Sequence, residues 1–215
     1  MQQSDLFRHS FSTDAEPVTG TLGLSDLDIA YHADFLPEQI ASRLFDKLQA
    51  TLDWKQESIT IYGKTHKSPR LQAWYGDLDA SYTYSGLEMI PLPWTEALLW
   101  LKTQCEAHCN IGFNSVLANL YRDGQDAMGM HSDDEKELGE QPVIASVSLG
   151  VQRNFDFKHK VTGAKYRLPL SHGSLLVMKG NTQKHWNHGI ARSKKITSPR
   201  INLTFRQIKI TDRGL

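Results

Sequence analysis

The spacing of apolar residues changes at about residue 113. Before it, Ile40, Leu44, Phe45, Leu48 and Leu52 recur three or four positions apart. That spacing predicts a helix with one apolar stripe, opening at Pro37, where a missing N–H costs nothing. A second helix is predicted from near Pro93, with Leu98, Leu101 and Cys105 on one face. Beyond residue 113 short alternating runs take over, at 114–121, 143–149, 154–158, 174–178 and 201–208. Gly124, Gly139, Gly163, Gly173, Gly180 and Gly189 punctuate them as turn formers. Two helices followed by many short strands predict a mainly β protein with flanking helices (α+β), built as a β-sandwich or jelly roll.

Two of these strands carry an unusual polar face. In the run from Arg200 to Arg206, Ile201, Leu203 and Phe205 lie on one side, while Arg200, Asn202, Thr204 and Arg206 lie on the other. Taken alone, such a strand reads equally well as half-solvated. Asn119 and Tyr121 repeat the habit opposite Val116, Ala118 and Leu120. If both polar faces line one pocket, its guanidiniums, amide and phenol suit a small molecule with two carboxylates, because arginine grips a carboxylate bidentately.

Composition narrows the class without naming a function. A chain of 215 residues with 40% hydrophobic and 22% charged residues fits one domain. We expect a polar tail at 1–24, an extension carrying the two helices at 25–112, and the β core at 113–210. The formal net charge is zero, so any contact with a polyanion must come from a local basic face. Cys105 and Cys109, the two cysteines, read as reduced thiols. No run approaches the roughly 18 apolar residues of a membrane span, and the start of the chain lacks the apolar core of a secretory signal. A cytoplasmic location is expected.

The candidate chemistry begins with His131 and Asp133. Two positions apart on an extended chain, the imidazole and the carboxylate point the same way and can share one ion. His188 is the best third ligand, while His172 and His185 compete, and the residues alone leave that choice open. Two histidines and one carboxylate leave three positions on an octahedral ion, which suits non-haem Fe(II) binding a co-substrate and dioxygen. A zinc hydrolase could use the same ligands, but it would leave the arginine-bearing strand without a role.

Taken together, several motifs resemble the AlkB family of nucleobase dealkylases, and within it the eukaryotic-type DNA repair branch. The resemblance runs from about residue 59 to 208. It rests on the segments Pro69–Gly76, Tyr82–Gly86, Asn114–Tyr121, His131–Glu135 and Pro199–Arg206. It implies a double-stranded β-helix and selects His188, which directly precedes Gly189, as the third ligand of Fe(II). It further implies that Arg200, helped by Tyr121, binds the distal carboxylate of 2-oxoglutarate. Arg206 and Asn119 would bind the carboxylate beside the keto group, with Asn202 supporting the pocket.

On the substrate side, the resemblance makes His131 and Tyr84 the walls of a slot for a flipped base, with Tyr82 nearby and Glu135 at the base edge. Residues 61–67 would form a hairpin that presents Tyr62 to the nucleic acid. Lys64, Lys67, Arg70, Arg153, Lys158 and Lys160 are candidate phosphate contacts; each could equally be a solvated surface charge. The implied reaction uses Fe(II), 2-oxoglutarate and dioxygen to oxidise an N-alkyl carbon. The substrate would be DNA carrying lesions such as 1-methyladenine or 3-methylcytosine, single- or double-stranded, acted on by a monomer. The alternative is a related oxygenase acting on RNA or another substrate. The complete set of His131, Asp133, His188, Arg200 and Arg206 argues against an idle binding module.

Overall fold

The computed structural model of the protein describes residues 24–61, 64–80, 82–84 and 87–209. The expected tail therefore lies outside the described residues, apart from Leu24. Two helices of equal length precede most of the strands: α1 (Glu38–Thr51) and α2 (Glu96–Cys109). The first begins after Pro37, which takes the capping position rather than the first helical one. Thr95 caps the second by accepting a hydrogen bond from Leu98 N, and the left-handed Asn110 ends it.

The strands are β1 (Asp28–His32), β2 (Ser58–Ile61), β3 (Lys64–Lys67), β4 (Leu71–Gly76), β5 (Tyr82–Tyr84), β6 (Leu87–Met89) and β7 (Ser115–Tyr121). They continue with β8 (Met128–His131), β9 (Ile144–Gly150), β10 (Arg153–His159), β11 (Lys165–Leu170), β12 (Ser174–Lys179), β13 (Trp186–Ile190) and β14 (Arg200–Arg206). A third helix, α3 (Thr182–His185), is a single turn just before β13. A six-stranded sheet runs β1-β12-β9-β14-β7-β4, and a four-stranded sheet runs β11-β10-β13-β8. The hairpins β2–β3 and β5–β6 stand apart as two small ribbons. Two facing antiparallel sheets give the jelly roll that the strand pattern predicts.

The alternation along β14 sorts its residues between two cores. Ile201, Leu203 and Phe205 join Val116, Ala118, Val147, Leu44 and Leu98 in a layer between the large sheet and the two helices. The second apolar cluster, including Tyr121, Phe155, Phe157, Leu176 and Trp186, brings residues of both sheets together. All seven residues of β14 are buried, so its polar face is not half-solvated. Asn202 donates to Ser146 Oγ at 2.7 Å, and Arg200 donates to Ser148 Oγ at 2.9 Å, both across to β9. Burial of apolar side chains on the helix side lets the sheet hold guanidiniums on its other face, provided each finds partners.

Gly150, at the end of β9, shows how closely these strands pass. Its φ is +89°, and a Cβ there would stand 2.6 Å from the Pro199 carbonyl and 2.7 Å from the Phe45 ring. Gly150 also pairs with Arg200 in the ladder. We expect Gly150→Ala to lower unfolding stability by about 1–3 kcal/mol in denaturant titrations. An unchanged midpoint would mean that this crossing is not tight.

Candidate metal centre

The chain brings His131 and His188 together by strand pairing. They lie directly opposite each other where β8 runs antiparallel to β13, so residues far apart in sequence present their rings side by side. Their ring centroids are 4.4 Å apart. Gly189 makes this possible, because a Cβ there would meet the carbonyls of Met128 and Gly129 at 2.9 and 3.0 Å. Asp133 follows two residues after β8. His131 Nε2 lies 3.6 Å from Asp133 Oδ1, and His188 Nε2 lies 3.9 Å from Oδ2. Two bonds of about 2.1 Å can span at most about 4.2 Å, so both separations fit a single ion. Ligand atoms of all three residues lie within 4.8 Å of one another.

The surroundings fix each ligand's protonation. His131 Nδ1 is 3.0 Å from the Gly129 carbonyl, so that nitrogen carries the proton and Nε2 keeps its lone pair for the ion. The ring of His188 stacks on Phe155 at 5.1 Å, and its burial pushes its pKa down to about 3, so it is neutral. Burial alone would raise Asp133. The charge of Arg206, with the His131 and His188 imidazoles nearby, instead holds its carboxyl far below the usual range. Burial works against protonating His131, but Asp133 and the Gly129 carbonyl outweigh it and raise its pKa.

Beside this triad the polar face of β14 supplies a cation-rich pocket. Arg206 Nη2 donates to Asp133 Oδ1 at 2.8 Å. Arg200 is 1% exposed, its guanidinium lies 5.3 Å from the Tyr121 ring, and burial lowers its pKa to about 10. Arg200 Nε and Nη1, and Asn119 Nδ2, have no hydrogen-bond partner among the described residues. A buried guanidinium with two unmet donors calls for an anion, and the carboxylates of 2-oxoglutarate have that chemistry. Asn202 is held by Ser146 and the Val147 carbonyl, and accepts from Thr204 through Oδ1, as a support within the same face.

The other histidines take different work. His172 Nδ1 accepts from Gly150 N at 2.8 Å and its Nε2 meets Ser42 Oγ at 3.2 Å, tying a turn to α1. His185 lies on α3, stacked over His159, and these two with Asp26 form a second cluster of ligating groups. His159 Nδ1, however, accepts from the backbone N–H groups of Val161 and Thr162. Its remaining nitrogen must then carry the proton, which suits a hydrogen-bond donor and not a metal ligand.

Two of the expected phosphate contacts are corrected. Arg153 is 2% exposed and donates to the carbonyls of Asp123, Asp126 and Ala191, clamping the loop after β7 to the loop after β13. Arg70 is also buried and donates to Asn119 Oδ1 at 2.7 Å, so it faces the pocket interior. Lys67 and Lys158 are exposed. Lys160 Nζ donates to the Gln183 carbonyl at 2.8 Å and lies 3.4 Å from Asp134. Tyr62 and the side chains of Lys64, Tyr82 and Tyr84 lie outside the described residues; the strand pairing alone sets Tyr82 opposite Met89 and Tyr84 opposite Leu87. Glu135 is half-buried, its pKa is raised by burial, and its Oε2 has no partner among the described residues.

Some features of the surface and of the site's lining had no mark in the sequence. Arg192, Lys194 and Lys195 are exposed on the loop between β13 and β14. That loop is pinned by Ser193 N to the Gly124 carbonyl and by Gly124 N to the Ile196 carbonyl. The short basic run was visible, but nothing local marked it as a rigid surface. Phe155, against His188, read as an ordinary strand residue. A cleft of about 400 Å³, lined by Asp133, Asp134, Gln141, Lys160, Asn181 and Lys184 among others, opens beside the triad.

A facial triad of two histidines and an aspartate beside an anion-binding arginine, set between the sheets of a jelly roll, defines a non-haem iron oxygenase of the 2-oxoglutarate type. The family model described as "2OG-Fe(II) oxygenase superfamily" matches residues 28–206. The chain is 40% identical over 198 residues to human "DNA oxidative demethylase ALKBH2", covering 87% of this chain and 76% of that protein. It is also 40% identical over 190 residues to Bos taurus "Alpha-ketoglutarate-dependent dioxygenase alkB homolog 3", covering 84% of this chain and 66% of that one. The chain belongs to the AlkB family of Fe(II)- and 2-oxoglutarate-dependent oxygenases. Its fold is similar to that in "The structure of OsALKBH1", with a TM-score of 0.60 at 18% identity, over 83% of this chain and 97% of that one.

The raised pKa of His131 predicts how metal binding depends on pH. Its proton is held more tightly than on a free imidazole, and the imidazolium cannot ligate. Affinity for Co(II), read by calorimetry, should therefore fall as pH drops, starting above the ordinary imidazole range and approaching about tenfold per unit below it. A flat profile would remove His131 from the ligand set.

Proposed function

We propose that the protein removes alkyl groups from N-alkylated bases in DNA, reversing the damage directly. The observation that carries this reading is the buried Arg200, with two unmet donors, beside the His131–Asp133–His188 triad. Relatives whose names specify DNA oxidative demethylation support the choice of substrate. A monomer is the proposed working unit, since the three ligands of one copy already converge.

This chain's residues have separate tasks in that reaction. Asp133 stays ionised, and it and the two imidazoles, through Nε2, would hold Fe(II). Arg200, over Tyr121, would hold the far carboxylate of 2-oxoglutarate, while Arg206 and Asn119 would hold the near one. Bound Fe(II), with 2-oxoglutarate and dioxygen, supplies the oxidising equivalent that places a hydroxyl on the N-alkyl carbon. The product then sheds formaldehyde from a methyl lesion and leaves the repaired base. His131 and Tyr84 flank the flipped base, with Tyr82 beside them and Glu135 at its edge. Extrusion costs a few kcal/mol and is least costly for a damaged base that pairs poorly. Tyr62, Lys64, Lys67, Lys158 and the pinned Arg192–Lys195 loop lie along the strand and meet phosphates.

With Fe(II) and ascorbate, the protein should convert 2-oxoglutarate to succinate when given 1-methyladenine or 3-methylcytosine in DNA oligonucleotides. Single-stranded, duplex and RNA arms of the same panel rank the strands. Turnover on RNA alone would favour an RNA oxygenase, and no lesion-dependent turnover on any arm would overturn repair. Arg200→Met should raise the 2-oxoglutarate KM roughly 10–100-fold, matching the loss of charge-assisted bonds worth about 1.5–3 kcal/mol. Wild-type KM in that variant would remove Arg200 from the co-substrate site. Arg153→Met should lower the melting temperature and leave the salt dependence of DNA binding unchanged; a shallower salt slope would restore it as a phosphate contact.

A further inference from the structure

The carboxylate ligand sits where the sheet no longer holds it. Ladder pairing between β8 and β13 reaches His131 and stops, so the backbone of Asp133, two residues on, has no strand opposite. Its N–H is nevertheless buried, and a buried donor without an acceptor is costly. The acceptor is a side chain from elsewhere: Gln183 Oε1, at 2.9 Å. Both residues are 2% exposed.

The orientation of the Gln183 amide is set by what surrounds it. Its Nε2 faces Met178 Sδ at 3.6 Å, a weak acceptor. The flipped amide would aim its own N–H groups at the N–H of Asp133, so only one orientation makes the bond. The turn that carries Gln183 is itself anchored. Thr182 Oγ1 accepts from Asp28 N at 2.9 Å and donates to the Asp28 carbonyl at 3.0 Å. Lys160 Nζ donates to the Gln183 carbonyl at 2.8 Å. Five residues after Gln183 the same segment delivers His188.

We propose that Gln183 is a positioning residue for the metal centre: it holds the backbone of Asp133 and thereby fixes the carboxylate relative to His188. One short segment, α3 running into β13, then supplies one ligand directly and aims a second through a single amide. The inference rests on the triad being the metal centre. A partner that orients a ligand in this way is expected to matter for metal affinity roughly 10–100-fold.

Calorimetric titration of the metal-free protein with Co(II) tests this with no turnover involved. Gln183→Met keeps length and volume but replaces the amide acceptor with a thioether; the Co(II) Kd should rise roughly 10–100-fold. Gln183→Glu keeps an oxygen in place and should recover most of that affinity. Melting temperatures of the metal-free variants report damage to the fold separately. Native affinity in Gln183→Met overturns the proposal, and so does a Gln183→Glu variant as weak as Gln183→Met. Should Gln183→Met fail to fold, hydrogen exchange at the Asp133 amide of the native protein decides: protection supports the bond, and exchange at an open-loop rate overturns it. If the native protein binds no Co(II) that His188→Ala abolishes, the metal-centre reading fails instead.

Discussion

Arg206 and Asp133 meet at 2.8 Å in a part of the molecule where they are 5% and 2% exposed. Arg206 belongs to the six-stranded sheet, while Asp133 follows the last strand of the four-stranded one, so the ion pair crosses the interior between them. A buried carboxylate must find a cation or neutralise, and removing one partner of such a pair costs about 3–5 kcal/mol. The pair therefore fixes where the loop after β8 can run, and with it the separation of the three ligands. It also keeps the carboxylate charged in a place that would otherwise protonate it. Arg200, further along the same strand face, is treated differently. Its partners are a hydroxyl and an aromatic ring, so its charge waits for an anion from outside the chain. One strand thus presents two arginines, one already matched to a carboxylate and one not.

Most of this core could be read from the sequence because its causes are local. A period of two with arginines on one face describes β14, and the burial of both faces turns that description into a pocket wall. The stripes of α1 and α2 were equally plain, since every third or fourth residue is apolar. The choice among His172, His185 and His188 was not local. It depends on which strand lies opposite β8, and on a glycine small enough to let two backbones approach. The charges of Arg70 and Arg153 misled for a related reason: a guanidinium looks the same in sequence whether it meets a phosphate or three backbone carbonyls. Gln183 gave no sign at all, because an isolated glutamine acquires meaning only from the unpaired N–H that the fold sets against it. The strands β8 and β13 did not stand out among the alternating runs, being short and carrying histidine and glycine in place of a clear apolar alternation.

The position of β8 gives the histidine ladder a second meaning. In the order β11-β10-β13-β8 it is an edge strand among the described residues, only four residues long. Its register with β13 is irregular between His188 and Ile190, so few backbone bonds hold it in place. An ion gripped by His131 and His188 adds a cross-link between the two strands at their point of direct opposition. Ligand binding of this kind stabilises by mass action, as RT ln(1 + [L]/Kd). Iron held there would be a rivet at the sheet's margin as well as a reagent. Removing it with a chelator would loosen a strand edge of the kind through which β proteins stick to one another.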